Sequence, residues 1–435
     1  MKTKKTVLKL NIKPSLIILL LLVLGIIGCS KDDKPTNQAP EAFTLIAVTN
    51  GAIGVDVKPT FSWNAAIDPD GDTVSYQLLM DGDSNPTTSI VSNISETNFT
   101  IAERLPLTEN LFWKVVATDT QGNTSASNTF SFTTRDLRIP ATPVTANANF
   151  SGRSKHTSVV FNNKMWVIGG IGDTGRLNDV WQSTDGMTWS QVTAEASFSR
   201  RQIHTSVVFK NKMWVIGGSD VTGRLNDVWQ STDGVTWTQV TANAPFAKRS
   251  SHTSVVFDDK LWVIGGSDRV NGENIKFNDV WQSSDGINWA QVTAEAPFSK
   301  RSSHTSVVFD NKIWVIGGFD GNSDRLNDVW QSSDGMTWAQ VTAEAPFSKR
   351  NLHTTVVFDD KMWVIDGLHD GFGLDDDDDD VWQSSDGINW APVTSNFSFS
   401  DRYAHASVVF NNKMWVIGGH GFGAGNFLND VWSMD

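Results

Sequence analysis

The chain has 435 residues, a formal net charge of −13 and 39% hydrophobic residues. This apolar content supports sizeable cores and excludes wholesale disorder, while 35 basic against 48 acidic residues argue against a nucleic-acid partner. The single cysteine excludes a disulfide framework and any multi-cysteine metal site, and 19 Trp beside 2 Tyr indicate a repeated unit that carries Trp.

Residues 1–28 read as an export signal. Five lysines precede an apolar run of twelve residues, 16–27, which is short for a membrane span and typical of a signal peptide. The run ends in Gly28-Cys29, which resembles the lipobox of bacterial lipoproteins and implies lipidation of Cys29. The alternative is an uncleaved signal anchor with an incidental Cys.

Residues 29–38 are predicted to form a polar tether. The acidic pair Asp32-Asp33 resembles a surface-export signal of Gram-negative lipoproteins. The resemblance therefore implies a lipid-anchored protein of the outer membrane, displayed at the cell surface of a Gram-negative bacterium, with the membrane as one partner.

Residues 39–135 contain short apolar or alternating stretches separated by Asp-Gly and Gly-Asn turns, which predict a β-sandwich. The stretches 59–63, 68–72 and 112–119 resemble bacterial fibronectin type III modules, which commonly act as spacers. Asp68, Asp70 and Asp72 could ligate a hard cation, but without a complete ligand set a solvated turn is the simpler interpretation.

Residues 136–435 are dominated by six copies of one unit, marked by His-Thr-Ser-Val-Val-Phe or a close variant at intervals of 48, 48, 52, 49 and 52 residues. Each copy predicts four strands, and the second strand is apolar on both faces, as expected where small sheets stack radially. Paired glycines, Asn-Asp-Val-Trp and Asp-Gly-x-x-Trp resemble kelch repeats. The predicted fold is all-β: a β-sandwich followed by a six-bladed kelch β-propeller.

Two departures from the repeat are informative. The fifth copy has Asp366 in place of the first Gly, and Asp379-Asp380 in place of Asn-Asp. The sixth copy stops after its third strand, whereas residues 144–150 match the end of the other fourth strands. We therefore expect the N-terminal segment to supply the outer strand of the last blade and so to remove an open sheet edge.

All variation in repeat length falls in the loop between the second and third strands, which has 7, 7, 11, 8, 11 and 9 residues. Loops on a rigid scaffold are common binding surfaces, although tolerated insertion explains the variation equally well. The connections between blades share this face, which we call the variable face. They carry six arginines that could hold carboxylates, phosphates or sugar hydroxyls, or could instead pair with acids within the blades: Arg153, Arg201, Arg249, Arg301, Arg350 and Arg402.

The six repeat histidines are interpreted as structural. The run Asp375, Asp376, Asp377 and Asp378, extended by two more Asp, predicts either a solvated loop or a Ca²⁺ site, and no other cofactor is indicated.

The function favoured by the sequence is non-catalytic binding of a glycan or protein through the variable face, because near-identical blades do not resemble the unlike converging groups of an enzyme site. One alternative is a sugar-modifying enzyme, since the resemblance includes kelch propellers that isomerise sialic acids. Another is a structural or adhesive surface protein.

Overall fold

A computed structural model describes residues 36–322, 324–369, 381–393, 400–421 and 427–435. The predicted Asp375–Asp378 site and Cys29 lie outside these ranges. Within them the regular structure is all β, and no helix is long and apolar enough to span a membrane. Contacts divide the chain into two units, one built from residues 36–47, Phe61–Phe99 and Phe112–Thr129, the other from Val48–Thr60, Thr100–Leu111 and Phe130–Asp435.

Nine strands lie between residue 36, where the described part of the chain begins, and the repeats. They are β1 (Leu45–Ala47), β2 (Ala52–Val55), β3 (Thr60–Trp63), β4 (Ser75–Asp81), β5 (Ser89–Ile94), β6 (Asn98–Thr100), β7 (Asn110–Thr118), β8 (Thr124–Ala126) and β9 (Phe130–Thr134). They form a three-stranded sheet of order β1-β3-β6 and a six-stranded sheet of order β2-β9-β7-β4-β5, with β8 beside β7. Burial alternates along β4 and β7 because successive side chains point to opposite faces.

The first three blades each contain four antiparallel strands. Blade 1 consists of β10 (Thr157–Phe161), β11 (Lys164–Gly172), β12 (Gly175–Ser183) and β13 (Ser190–Thr193). Blade 2 consists of β14 (Thr205–Phe209), β15 (Lys212–Asp220), β16 (Gly223–Ser231) and β17 (Thr238–Thr241). Blade 3 consists of β18 (Thr253–Phe257), β19 (Lys260–Val270), β20 (Glu273–Ser283) and β21 (Ala290–Thr293).

The last three blades follow the same plan, with short strands added at the variable face. Blade 4 consists of β22 (Arg301–Ser302), β23 (Thr305–Phe309), β24 (Lys312–Asp320), β25 (Arg325–Ser332) and β26 (Ala339–Thr342). Blade 5 consists of β27 (Arg350–Asn351), β28 (Thr354–Phe358), β29 (Lys361–Ile365), β30 (Leu368–His369), β31 (Val381–Ser384) and β32 (Ala391–Pro392). Blade 6 consists of β33 (Arg402–Tyr403), β34 (Ala406–Phe410), β35 (Lys413–Gly421) and β36 (Phe427–Met434).

The hydrophobic cores lie between neighbouring blades. One core combines Trp166 and Ile168 of blade 1 with Met213 and Val215 of blade 2, all at most 3% exposed. This explains why each second strand is apolar on both faces: one face packs against the preceding blade and the other against the following blade.

The Asp-Gly turns are part of the same packing. Gly186 has a φ of +74°, and a Cβ atom there would approach the Trp415 ring of blade 6 to 2.1 Å. Gly234 stands in the same relation to Trp166. The repeated Trp and the repeated Asp-Gly therefore interlock from blade to blade, and no larger residue fits the glycine position.

The N-terminal segment closes the propeller. Thr145 and Val431 exchange backbone hydrogen bonds of 3.2 and 2.8 Å, and Arg138 and Asp435 pair in the same way. The ring of Phe150 packs edge-on against Trp189 at 5.2 Å, as Phe198 does against Trp237. The segment before the first blade thus hydrogen-bonds to the last strand, β36.

Candidate binding site

The six arginines of the blade connections are buried, each at 0% exposure. Arg153 donates from Nη1 and Nη2 to the two carboxylate oxygens of Asp179, at 2.7 and 2.8 Å. Its remaining donors reach the Gly169 carbonyl and both the carbonyl and hydroxyl of Ser151. The same pairing recurs as Arg201–Asp227, Arg249–Asp279, Arg301–Asp328 and Arg402–Asp430.

The structure therefore corrects the expectation that Arg153, Arg201, Arg249, Arg301, Arg350 and Arg402 hold a ligand. All five N–H groups of Arg153 are used within its own blade. Asp179 also accepts a hydrogen bond from the indole N–H of Trp181 at 2.8 Å, so the Asp and Trp of the Asn-Asp-Val-Trp motif both take part in this network. In the five blades other than blade 5, pairing with acids within the blades, the alternative left open by the sequence, is the arrangement present.

Blade 5 adjusts to the loss of its first glycine. Asp366 adopts a φ of +51°, and its carboxylate accepts hydrogen bonds from the backbone N–H groups of Gly367 and Arg402, each at 2.8 Å. In blade 1 the corresponding glycine has no side chain, and the next arginine, Arg201, donates its N–H to the Leu177 carbonyl instead. The substitution replaces a backbone acceptor with a carboxylate.

The repeat histidines form a buried ring around the axis: His156, His204, His252, His304, His353 and His405. Burial, with a smaller effect of Arg201, lowers the pKa of His204 to about 3, so the ring is neutral at physiological pH. Each Nε2 from His204 to His405 lies 2.8–3.1 Å from a threonine hydroxyl of the preceding blade. Among the described residues no cluster of His, Cys, Asp or Glu could hold a metal ion.

The seam between blades 6 and 1 breaks this pattern. The threonine that would face His156 is replaced by Ala406. In consequence Nε2 of His156 and the hydroxyl of Ser158 are buried without a hydrogen-bond partner, whereas Nδ1 lacks one in all six ring histidines.

One residue before each histidine, the backbone forms a closed ring on the axis. These six residues, which we call the axial ring, all have φ between +49° and +55°, and each donates its N–H to the carbonyl of the axial-ring residue in the preceding blade. They are Lys155, Ile203, Ser251, Ser303, Leu352 and Ala404. With the histidines they line an axial cavity of about 130 Å³.

Strand register builds a row of side chains that starts at the residue before each axial-ring residue and runs outwards across the blade. In blade 1, Ser154 pairs with Ile171, and Ile171 pairs with Arg176. Directly opposed residues on neighbouring strands share a sheet face, so the three form a row across the blade. We call these sets the blade rows.

The blade rows differ from one another. The others are Gln202–Ser219–Arg224, Ser250–Ser267–Lys276, Ser302–Phe319–Arg325, Asn351–Leu368 and Tyr403–His420–Phe427. In blade 6 the Tyr403 and His420 rings stack at 5.0 Å, and Phe427 lies edge-on to His420 at 5.3 Å.

Reasoning from loop length alone missed the first residue of every row and the whole axial ring. The available signal is the dipeptide between the constant Arg and the constant His, which varies in sequence although its length never changes: Ser-Lys, Gln-Ile, Ser-Ser, Ser-Ser, Asn-Leu and Tyr-Ala.

In the N-terminal module, the Asp68 carboxylate accepts hydrogen bonds from the backbone N–H groups of Asp70 and Asp72 at 3.0 and 3.1 Å. The segment is therefore a turn held by its first aspartate, which is itself buried.

Comparison with known proteins identifies the family. The chain matches the KLHDC2/KLHL20/DRC7 Kelch-repeats domain over residues 115–285 and 232–385, and the Kelch motif over residues 401–435. The protein belongs to the kelch-repeat family. No curated protein sequence matches it.

A solved kelch structure supports the fold. The structure of YjhT is similar to this chain with a TM-score of 0.55 and 16% sequence identity, covering 66% of this chain and 96% of that one. At this identity the likeness concerns the fold of the kelch propeller alone.

Proposed function

We propose that this kelch protein binds a glycan through the variable face of its propeller. In this proposal the lipid on Cys29 anchors the protein at the outer-membrane surface of a Gram-negative bacterium. The module of residues 39–135, fibronectin type III-like in sequence, is the spacer that carries the propeller.

The observation that carries the proposal is the set of unlike blade rows around the axial cavity. Elsewhere the blades repeat almost unchanged, down to the Arg–Asp pairs. In this proposal a ligand that covers the axis extends over the blade rows and contacts Arg176, Gln202 and Tyr403 from three different blades, whereas the opposite face offers near-identical turns. Specific recognition requires such individuality.

The polar groups in the rows favour a glycan over a protein. Gln202 Oε1, Ser250 Oγ and Asn351 Oδ1 are buried and lack hydrogen-bond partners among the described residues. Buried polar groups are normally satisfied, and in this proposal the three side chains turn outwards and accept hydrogen bonds from sugar hydroxyls when the ligand binds. The aromatic stack of Tyr403 and His420 adds an apolar surface for a sugar ring.

A glycan array probed with the full chain in detergent tests the proposal. We expect a defined subset of glycans to be retained, and Gln202→Ala with Tyr403→Ala to weaken binding by roughly thirtyfold, the usual cost of truncating central contacts. Replacing residues 267–277 with the shorter loop 171–177 should also weaken it. The control is Asp258→Asn with Asp259→Asn, two exposed positions on the opposite face.

The proposal fails if the control variant loses binding while the row variants keep it, or if no glycan is retained. Retained glycans should also be followed by NMR during incubation with the protein. Conversion into a product would favour the sugar-modifying alternative over simple binding.

A further inference from the structure

Three cationic side chains near the axial cavity form no salt bridge with any of the described residues. We propose that the ligand of the variable face carries an anionic group, the carboxylate or sulfate of an acidic sugar, which Lys155, Arg176 and Arg224 bind together. This inference rests on the proposed function and narrows its ligand class.

The positions of the three cations follow from the fold. Lys155 belongs to the axial ring and lines the cavity. Arg176 and Arg224 end the blade rows of blades 1 and 2, at equivalent places on the third strands. The cations thus come from two adjacent blades, and both arginines are close enough to Lys155 to act on its charge.

These cations lack anionic partners among the described residues. Lys155 and Arg176 have neither an ion pair nor a side-chain hydrogen bond there, and Arg224 donates only to the hydroxyl of Ser219, at 3.2 Å. The Nε atoms of Arg176 and Arg224 are buried and unpaired. In a chain that carries a net charge of −13, an uncompensated cluster of this kind is not a consequence of composition.

The cations also act on one another. Burial, reinforced by Arg176 and then Arg224, lowers the pKa of Lys155. Burial lowers the pKa of Arg224 as well, against the opposing effect of Asp268 and with additional effects of Arg269 and Arg176. A bound anion would relieve this repulsion, and guanidinium groups suit carboxylates and sulfates because their donors form a planar fork.

Equivalent basic residues in the next blades are engaged elsewhere. Lys276 of blade 3 donates to the Asp320 carbonyl and lies 4.1 Å from the centre of the Phe319 ring. Arg325 of blade 4 also interacts with another group of the protein and is therefore not free. Within the described parts of the blade rows, the cations without a salt bridge or a ring contact therefore lie in blades 1 and 2, as a single anion-binding sector requires.

Titration of the full-length protein with three monosaccharides tests the inference: glucuronic acid, glucose 6-sulfate and glucose. We expect at least one acidic sugar to bind roughly tenfold or more tightly than glucose, with an affinity that falls as salt is raised. The stronger of the two acidic sugars identifies the anion. Arg176→Gln and Arg224→Gln should each weaken its binding by roughly tenfold to thirtyfold.

The matched control is Arg325→Gln, the same change at the corresponding position of blade 4, which should leave affinity within about twofold. The inference is overturned if glucose binds as tightly as both acidic sugars, if neither acidic sugar binds, or if the Arg176 and Arg224 variants match the wild type. In each case the proposed function stands provided that the array still yields a glycan whose binding depends on Gln202 and Tyr403. Loss of that dependence would defeat both proposals.

Discussion

Two sets of basic side chains lie on the variable face, and they differ in every respect that matters for binding. The arginines of the blade connections are fully buried and, in five blades, visibly paired with an aspartate. Lys155, Arg176 and Arg224 are only partly buried, occur in two blades and have no acidic partner among the described residues. A charge that recurs in every blade and is paired there stabilises the blades, whereas an unpaired charge found in one sector is available to a ligand.

The largest effect that we expect is a loss of stability at acidic pH, caused by the histidines that recur in every blade. Burial lowers the pKa of five ring histidines to about 3 and that of His304 well below its ordinary value. In the unfolded chain the same histidines have a pKa near 6.5. Below that pH the unfolded state binds protons that the folded state does not, so stability is complete above about pH 6.5 and is lost as the pH falls towards 3.

With six histidines, the unfolding free energy falls by up to about 8 kcal/mol per pH unit once all six are protonated in the unfolded state. Urea unfolding at pH 7, 6 and 5 measures this pH dependence. These pH values lie above the range in which most carboxylates titrate. A midpoint that does not move between pH 7 and 5 would show that the histidines are not buried and neutral.

The next effect separates the two sets of cations directly. Arg153→Met leaves Asp179 buried without its partner, which typically costs about 3–5 kcal/mol of unfolding free energy. The matched change Arg176→Met, in the same blade, removes a side chain without an ion pair and should stay within about 0.5 kcal/mol. Chemical denaturation of both variants checks the contrast. Equal losses of unfolding free energy would mean that the structural arginines and the proposed ligand-binding cations do not differ as described.

The smallest effect concerns the seam where the repeat is incomplete. Ala406→Thr should restore the two hydrogen bonds that His156 and Ser158 lack, and each is worth about 0.5–1.5 kcal/mol. We expect a rise of roughly 1–2 kcal/mol in unfolding free energy, measured by urea titration beside Thr205→Ala, the reverse change in blade 2. A destabilised Ala406→Thr protein would show that the seam has no room for the hydroxyl.

Much of the fold can be predicted from the sequence because the repeats are visible in it. The interval between the repeats, the apolar second strands and the match of residues 144–150 to the other fourth strands predict six blades and their closure. These features are local or periodic, and the physical rules behind them need no knowledge of distant contacts.

The candidate site was only partly accessible from the sequence. The choice between ligand-binding and structural arginines stayed open, because Arg153 and Asp179 are 26 residues apart and only the folded blade brings their charges to 2.7 Å. The blade rows could not be foreseen either, since they depend on register: pairing of Ser154 with Ile171 and of Ile171 with Arg176 joins three strands.

The sequence by itself determined the repeating scaffold, because burial between stacked sheets imposes the same residues on every blade. Only the tertiary structure decided which cations remain open to a ligand. Whether a charge is compensated depends on every neighbour that folding brings within a few ångströms, and for Lys155 the decisive neighbours are Arg176 and Arg224, on the third strands of blades 1 and 2.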